Sequence, residues 1–420
     1  MHALLAPSLL FTLSAAPALA QGTVHVVDSL GGPGAMYADI QPAVDAAVDG
    51  DTVLIRPGIY TGFTVDGKDL DLFGDVDAST SAKVLTGRTV IRNVPAGELV
   101  TLSDLRLTAG LEVTDADGPV VLQGLVFGDT FVGDAEPTTQ VGLDIRRSKD
   151  VTLGRSWVGG YVATGGLQAL MDGPTAMRIE ESSVYAWDTT VTGGRGASGV
   201  ASAFLFPGLG GAAVDVIGAS LRGDDVTLVG GRGGHGIPGG FCTDGAAGGT
   251  GLVQSGASSA VELFASSIQP GAGGQPGAAT CSSGPAGATT DLTGGLLSQL
   301  AGQPAGYTAG FVVREGASLP LVVEGGPTAA GAAVLWLVAD TPSSLPMDLG
   351  TGVLASTAPS ILTVLGVAGP TGGLASWVTV PDLGSGIQAL TLISQAALLT
   401  TSGELRLTEP EATLLLDASF

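Results

Sequence analysis

Charge is scarce in this 420-residue chain, and basic charge scarcer still. Charged residues make up 13%, with 16 Lys and Arg set against 39 Asp and Glu. The resulting formal charge of −23 repels phosphate backbones, which are bound through clustered Lys and Arg that this chain does not have. Nucleic acid is therefore not an expected partner. Beyond Arg232 only Arg314 and Arg406 remain, so no polybasic patch can hold the chain on an anionic membrane surface. Past the N-terminus no segment offers the roughly 20 consecutive apolar residues of a spanning helix, so no transmembrane segment is expected. Aromatic residues are 5% and cysteines number two, whereas glycines number 68. Such a chain packs with small side chains and many tight turns, the composition of a repeat protein.

The length exceeds that of one compact domain, which predicts either two domains or an elongated repeat followed by a module. Residues 1–20 read as a signal peptide: an apolar run from Leu4 to Leu13 precedes Ala18-Leu19-Ala20 and Gln21. Export to the cell surface, the extracellular space or the periplasm is expected. In such a compartment Cys242 and Cys281 predict one disulfide, worth roughly 3 to 4 kcal/mol for a loop of this size, with two free thiols as the alternative. A metal site is not expected, because His235 is the one histidine nearby and structural zinc takes four ligands.

An internal repeat sets the architecture. Val100-x-Leu102 with Leu107, Val120-x-Leu122 with Phe127, Val151-x-Leu153 with Val158, Met177-x-Ile179 with Val184, Val214-x-Val216 with Leu221 and Val261-x-Leu263 with Ile268 share one spacing. Alternating side chains put the first two residues on one face of a short strand, and the third begins another strand after a small or polar turn. Stacked units of this kind form parallel ladders. Leu102, Leu122, Leu153, Ile179, Val216 and Leu263 are then expected to lie above one another in the interior.

Stacked coils leave open ends that need covers. Ile40, Val44, Ala47 and Val48 have the spacing of an amphipathic helix with Asp39 as N-cap, and this helix is expected to cover the first coil. The run Ala38-Asp39-Ile40-Gln41-Pro42-Ala43-Val44-Asp45-Ala46-Ala47, followed by Gly50-Asp51-Thr52-Val53-Leu54-Ile55-Arg56-Pro57-Gly58-Ile59-Tyr60, resembles the entry motif of the pectin-lyase-like, right-handed parallel β-helix superfamily. With the repeat included, the resemblance covers residues 23 to 300. It implies a fold and not an activity, since that superfamily holds lyases, hydrolases, epimerases, adhesins and proteins without known chemistry.

The expected organisation is thus all-β: a right-handed parallel β-helix over residues 21–302 and an antiparallel, sandwich-like module over 303–420. Seven candidate strands support the module: Phe311 to Val313, Leu319 to Val323, Ala332 to Val338, Ile361 to Val367, Ala375 to Val380, Ala389 to Ile393 and Gly403 to Leu407. Glycine-rich stretches at Val229 to Gly249 and Pro270 to Gly287 read as loops ejected from the coils and tied by the cysteines.

Candidate chemistry gathers at Asp144, Arg146, Arg147, Lys149 and Asp150, followed on later coils by Arg155, Arg178, Glu180 and Glu181. Acids and bases on neighbouring coils are what a polysaccharide lyase of this fold combines, and calcium enters only under that alternative. The competing reading is a set of solvated turns. Trp157, Tyr161, Tyr185 and Trp187 lie nearby in sequence and could stack on sugar rings. Gly234-His235-Gly236 after Asp224-Asp225 resembles a polygalacturonase pair, but ten positions separate Asp225 from His235, half a coil, so the two should not share a face. The leading expectation is a secreted, non-catalytic protein contacting polysaccharide or another cell-envelope component. A polysaccharide lyase or glycoside hydrolase is the alternative.

Overall fold

The computed structural model describes residues 22–75, 84–127, 141–160, 172–199, 206–237, 243–300, 305–339, 345–346, 350–351, 353–354, 361–384 and 386–420. Over residues 22–300 the chain curls around an axis as parallel sheets of 16 and 8 strands. Three ladders run along the axis. The first passes through Asp51–Ile55, Leu70–Gly74, Val100–Ser103, Val120–Gln123 and Val151–Gly154. The second passes through Val84–Thr86, Arg106–Leu107, Val126–Phe127 and Trp157–Gly159. The third, the 8-stranded sheet, runs from Thr64–Asp66 to Thr290–Leu292. Two ten-residue strands, Ser183–Thr192 and Ser220–Val229, continue from the first ladder into the second and join them.

Period-two alternation decides what faces inward. Leu72, Leu102, Leu122 and Leu153 stack in register on the first ladder, continued by Ala186, Gly223 and Leu263. Ile91, Val113, Ile145, Ile179 and Val216 stack on the third. Both columns belong to one buried cluster. Each fully buried aliphatic side chain there contributes about 1.5 to 3 kcal/mol.

The six-residue stack expected from the repeat therefore divides. Leu102, Leu122, Leu153 and Leu263 occupy the first ladder, but Ile179 and Val216 belong to the third. The reason is that two corners are turned the same way. Asp104, Gly124, Arg155 and Ala265 adopt positive φ between the first and second ladders, and Glu181 and Gly218 do so between the third and the first. In each case the left-handed residue follows the last inward residue by two positions, so one sequence spacing serves both corners.

The helix spans Ile40–Ala46, with the Asp39 carboxylate accepting from Ile40 N and with Ile40, Ala43 and Val44 buried against the first coil's core. Val48, expected on its apolar face, is exposed, because the helix ends at Ala46 and Ala47 is already extended.

The glycine-rich stretches are not loose loops. Extended arms leave the second ladder at 193–199, 230–237 and 270–277, and return segments at 207–212, 243–250 and 284–289 lead back to the third. Every third amide of one arm donates to the next: Gly193, Gly196 and Gly199 to the carbonyls of Val229, Arg232 and His235, and Gly230, Gly233 and Gly236 to those of Gln269, Ala272 and Gln275. A second column crosses between arms and returns, with Gly211 donating to Gly194, Gly231 to Gly211, Gly249 to Gly231 and Gly271 to Gly249. Three-residue periodicity without internal hydrogen bonds is the geometry of an extended polyproline II-type helix. Glycine is needed here for close approach: a Cβ on Gly231 would stand 2.0 Å from the Gly194 carbonyl oxygen.

Beyond residue 305 a three-stranded sheet, Gly306–Ala309, Ser318–Glu324 and Gly373–Thr379, shares a buried cluster with a seven-stranded sheet. All seven strands expected from the sequence occur. Gly306–Ala309 and Glu411–Leu416 were not expected. Glu411–Leu416 is buried along its whole length and packs on the first ladder's outer face, where Val26, Leu54, Phe73 and Val121 meet Ile393, Ala412, Leu414 and Leu416.

Candidate functional site

The charged residues picked out by sequence lie on the outer face of the third ladder and at its corner. Asp144 sits in register between Glu112 and Arg178, and Arg146 between Thr114 and Glu180. Acids and bases share this face, and most of them are paired. Arg146 forms a two-pronged pair with Asp144, Arg178 meets Glu180 at 3.1 Å, and Arg88 meets Glu112 at 2.6 Å. At the corner Arg147 holds Asp115 at 2.7 Å and Lys149 holds Asp117 at 2.6 Å. The hydrogen bonds from Arg147 keep the Asp115 carboxyl below its usual range. The Asp150 carbonyl accepts the Val120 amide at 2.9 Å. A general base needs a lone pair free to take a proton, and carboxylates held by arginine ladders are poor at that.

The aromatic residues separate. Trp157, on the second ladder, is 36% exposed. Tyr185 and Trp187 are 4% and 1% exposed and stack on each other with centroids 5.4 Å apart. Trp187 lies over Gly154 of the preceding coil, in the space a side chain at that position would fill. A sugar ring has no access to either face in this arrangement. Tyr161 and Cys242 fall outside the described residues. Cys281 is described, and no cysteine among the described residues is free.

Where the last strand meets the coil, Arg155 joins a group of carboxyls that sequence reasoning did not bring together with it. Arg155 reaches Glu411 at 2.9 Å and lies 4.0 Å from the centre of the Phe311 ring. Glu411 also accepts the Ala309 amide at 2.6 Å, and Gln123 accepts the Ala412 amide at 2.8 Å. Asp104, Asp188, Asp224 and Glu409 complete the cluster. Burial pushes Asp104 and Asp224 up to about 7, helped at Asp224 by the charge of Asp225. Burial and then Asp224 hold Glu409 well above the carboxylate range, and burial raises Glu411 to about 8 in spite of Arg155. Arg155, with Arg222 beside Asp224, does not offset the burial of these carboxyls, so they hold protons to higher pH than exposed carboxylates do. Nothing local in the sequence announces this, because Glu409 and Glu411 are far along the chain from Asp104, Arg155, Asp188 and Asp224.

Among the described residues no group of three or more His, Cys, Asp or Glu is placed to hold a metal ion, and no helix is long and apolar enough to cross a membrane. No family model, curated protein or solved structure matches the chain.

Proposed function

We propose that this chain is a secreted, non-catalytic β-helix protein of the right-handed, pectin-lyase-like kind, acting as a cell-surface, matrix or glycan-contacting component. In this reading the Ile40–Ala46 helix covers the open end of the first coil, and the two C-terminal sheets form a sandwich seated on the coil's outer face. The observation that carries it is the fate of the polar side chains. The acids and bases of the third ladder neutralise one another, and Asp104, Asp224, Glu409 and Glu411 lie buried where the last strand meets the coil. What remains for a partner is a long, regular, rigid surface.

The test is a screen of the purified chain on uronate-containing and neutral polysaccharides, with and without calcium. Retention of a polysaccharide without change in its chain length is expected. Reproducible depolymerisation would replace this reading with the lyase or hydrolase alternative.

A further inference from the structure

Ten arginines among the described residues lie within 3.9 Å of a carboxylate. In a chain with more than twice as many acids as bases that is the ordinary outcome. Arg195 and Arg232, on the glycine-rich arms, have no carboxylate partner among the described residues. The arms give them none: residues 189–214, 226–243 and 263–290 contain no Asp or Glu.

The two arginines are also neighbours. Gly196 N donates to the Arg232 carbonyl at 2.9 Å, which sets Arg195 and Arg232 at equivalent positions about 5 Å apart, one rung from each other. His235 follows Arg232 by one three-residue turn and so shares its face. The His235 Nδ1 accepts the Gln275 amide at 2.9 Å, so the neutral ring carries its proton on Nε2. Burial and the charges of Arg195 and Arg232 hold the imidazole below its ordinary pKa, which keeps it in that neutral, donating form at pH 7. Like charges on adjacent rungs repel, and an anion set between them removes the repulsion. Arginine forks suit a planar or tetrahedral oxyanion. Ser198 and Gln275, exposed on the same face, supply groups that can bond hydroxyls.

We propose that Arg195, Arg232 and His235 form a binding site for the oxyanion of an acidic polysaccharide, a uronate carboxylate or a sulfate ester. The site rests on the glycan-contacting reading above and narrows it. Two guanidinium groups are too few to hold a lipid surface, whereas one anionic sugar needs no more. The chain's overall negative charge is screened beyond about 8 Å at physiological salt, and no acid lies on the arms themselves.

The test is affinity electrophoresis of the full chain in gels containing polygalacturonate, a sulfated galactan or a neutral glucan. Wild type is compared with Arg195→Gln/Arg232→Gln. Binding of at least one acidic polymer is expected to weaken about tenfold in the double variant, with neutral binding unchanged. Whichever acidic polymer shows the loss identifies carboxylate or sulfate. Should the double variant not fold, Arg232→Gln alone, at an exposed position, reads the same effect. Equal retardation of wild type and variant by acidic polymers would overturn the site and leave the glycan reading standing. No retardation of wild type by any polymer would overturn both.

Discussion

Arg155, at a corner of the coil, stands 2.9 Å from Glu411, the first residue of the last strand. The pair marks where the end of the chain closes over the coil's outer face. Arg155 is the one cation acting on Asp104, Asp188 and Glu411 together.

Stability should therefore depend on pH in an unusual direction. Asp104 and Asp224 at about 7 and Glu411 at about 8 keep protons in the folded state that the unfolded chain releases near pH 4. Between about pH 4 and 8 the folded state binds more protons, so stability falls as pH rises. Asp28, Asp66 and Asp115, held low by hydrogen bonds, oppose this only below about pH 4. The thermal midpoint is expected to be higher at pH 5 than at pH 8, and Glu411→Gln should flatten the difference. A midpoint that rises from pH 5 to pH 8 would show that these carboxyls are charged in the folded protein.

Much of the coil was legible because Val100-x-Leu102 and its relatives report alternation directly. The assignment of coils to ladders was not, since Asp104 and Glu181 turn different corners with the same geometry. The strand Glu411–Leu416 escaped notice because burial on both faces leaves no alternation to read. Burial of Tyr185 and Trp187 was equally hidden. Glu409, whose charge acts on Tyr185, lies at the far end of the chain, and the Gly154 on which Trp187 packs belongs to another coil. The order of the glycine arms was illegible for the opposite reason: backbone hydrogen bonds hold them, and glycine leaves no side-chain pattern.

That order makes a sharp mutational prediction. Gly231→Ala places a methyl group 2.0 Å from the Gly194 oxygen and should cost about 2 to 4 kcal/mol. Ala272→Ser, on an exposed position of a neighbouring arm, should change stability by less than about 0.5 kcal/mol. Denaturant titration of both variants decides the matter, and equal, small effects would mean the arms are not close-packed.

Cys281 lies at the turn after the third arm, where its amide bonds to Ala278 at 3.0 Å. On the proposed export, linkage to Cys242 is expected. Peptide mapping by mass spectrometry without reduction should recover the two cysteines in one species. Two alkylated free thiols from native material would exclude the bond.

The central claim is that the first ladder's outer face is covered from the early coils, under the C-terminal strands, to the buried Tyr185 and Trp187. Hydroxyl-radical footprinting of the intact chain tests it most directly, because buried and exposed tryptophans serve as references for each other. Trp187 and Tyr185, 1% and 4% exposed, should be protected while Trp157 and Trp377, 36% and 67% exposed, are oxidised. Oxidation of Trp187 at the rate of Trp157 would mean that the face stands open, and with it a groove lined by aromatic and acidic side chains.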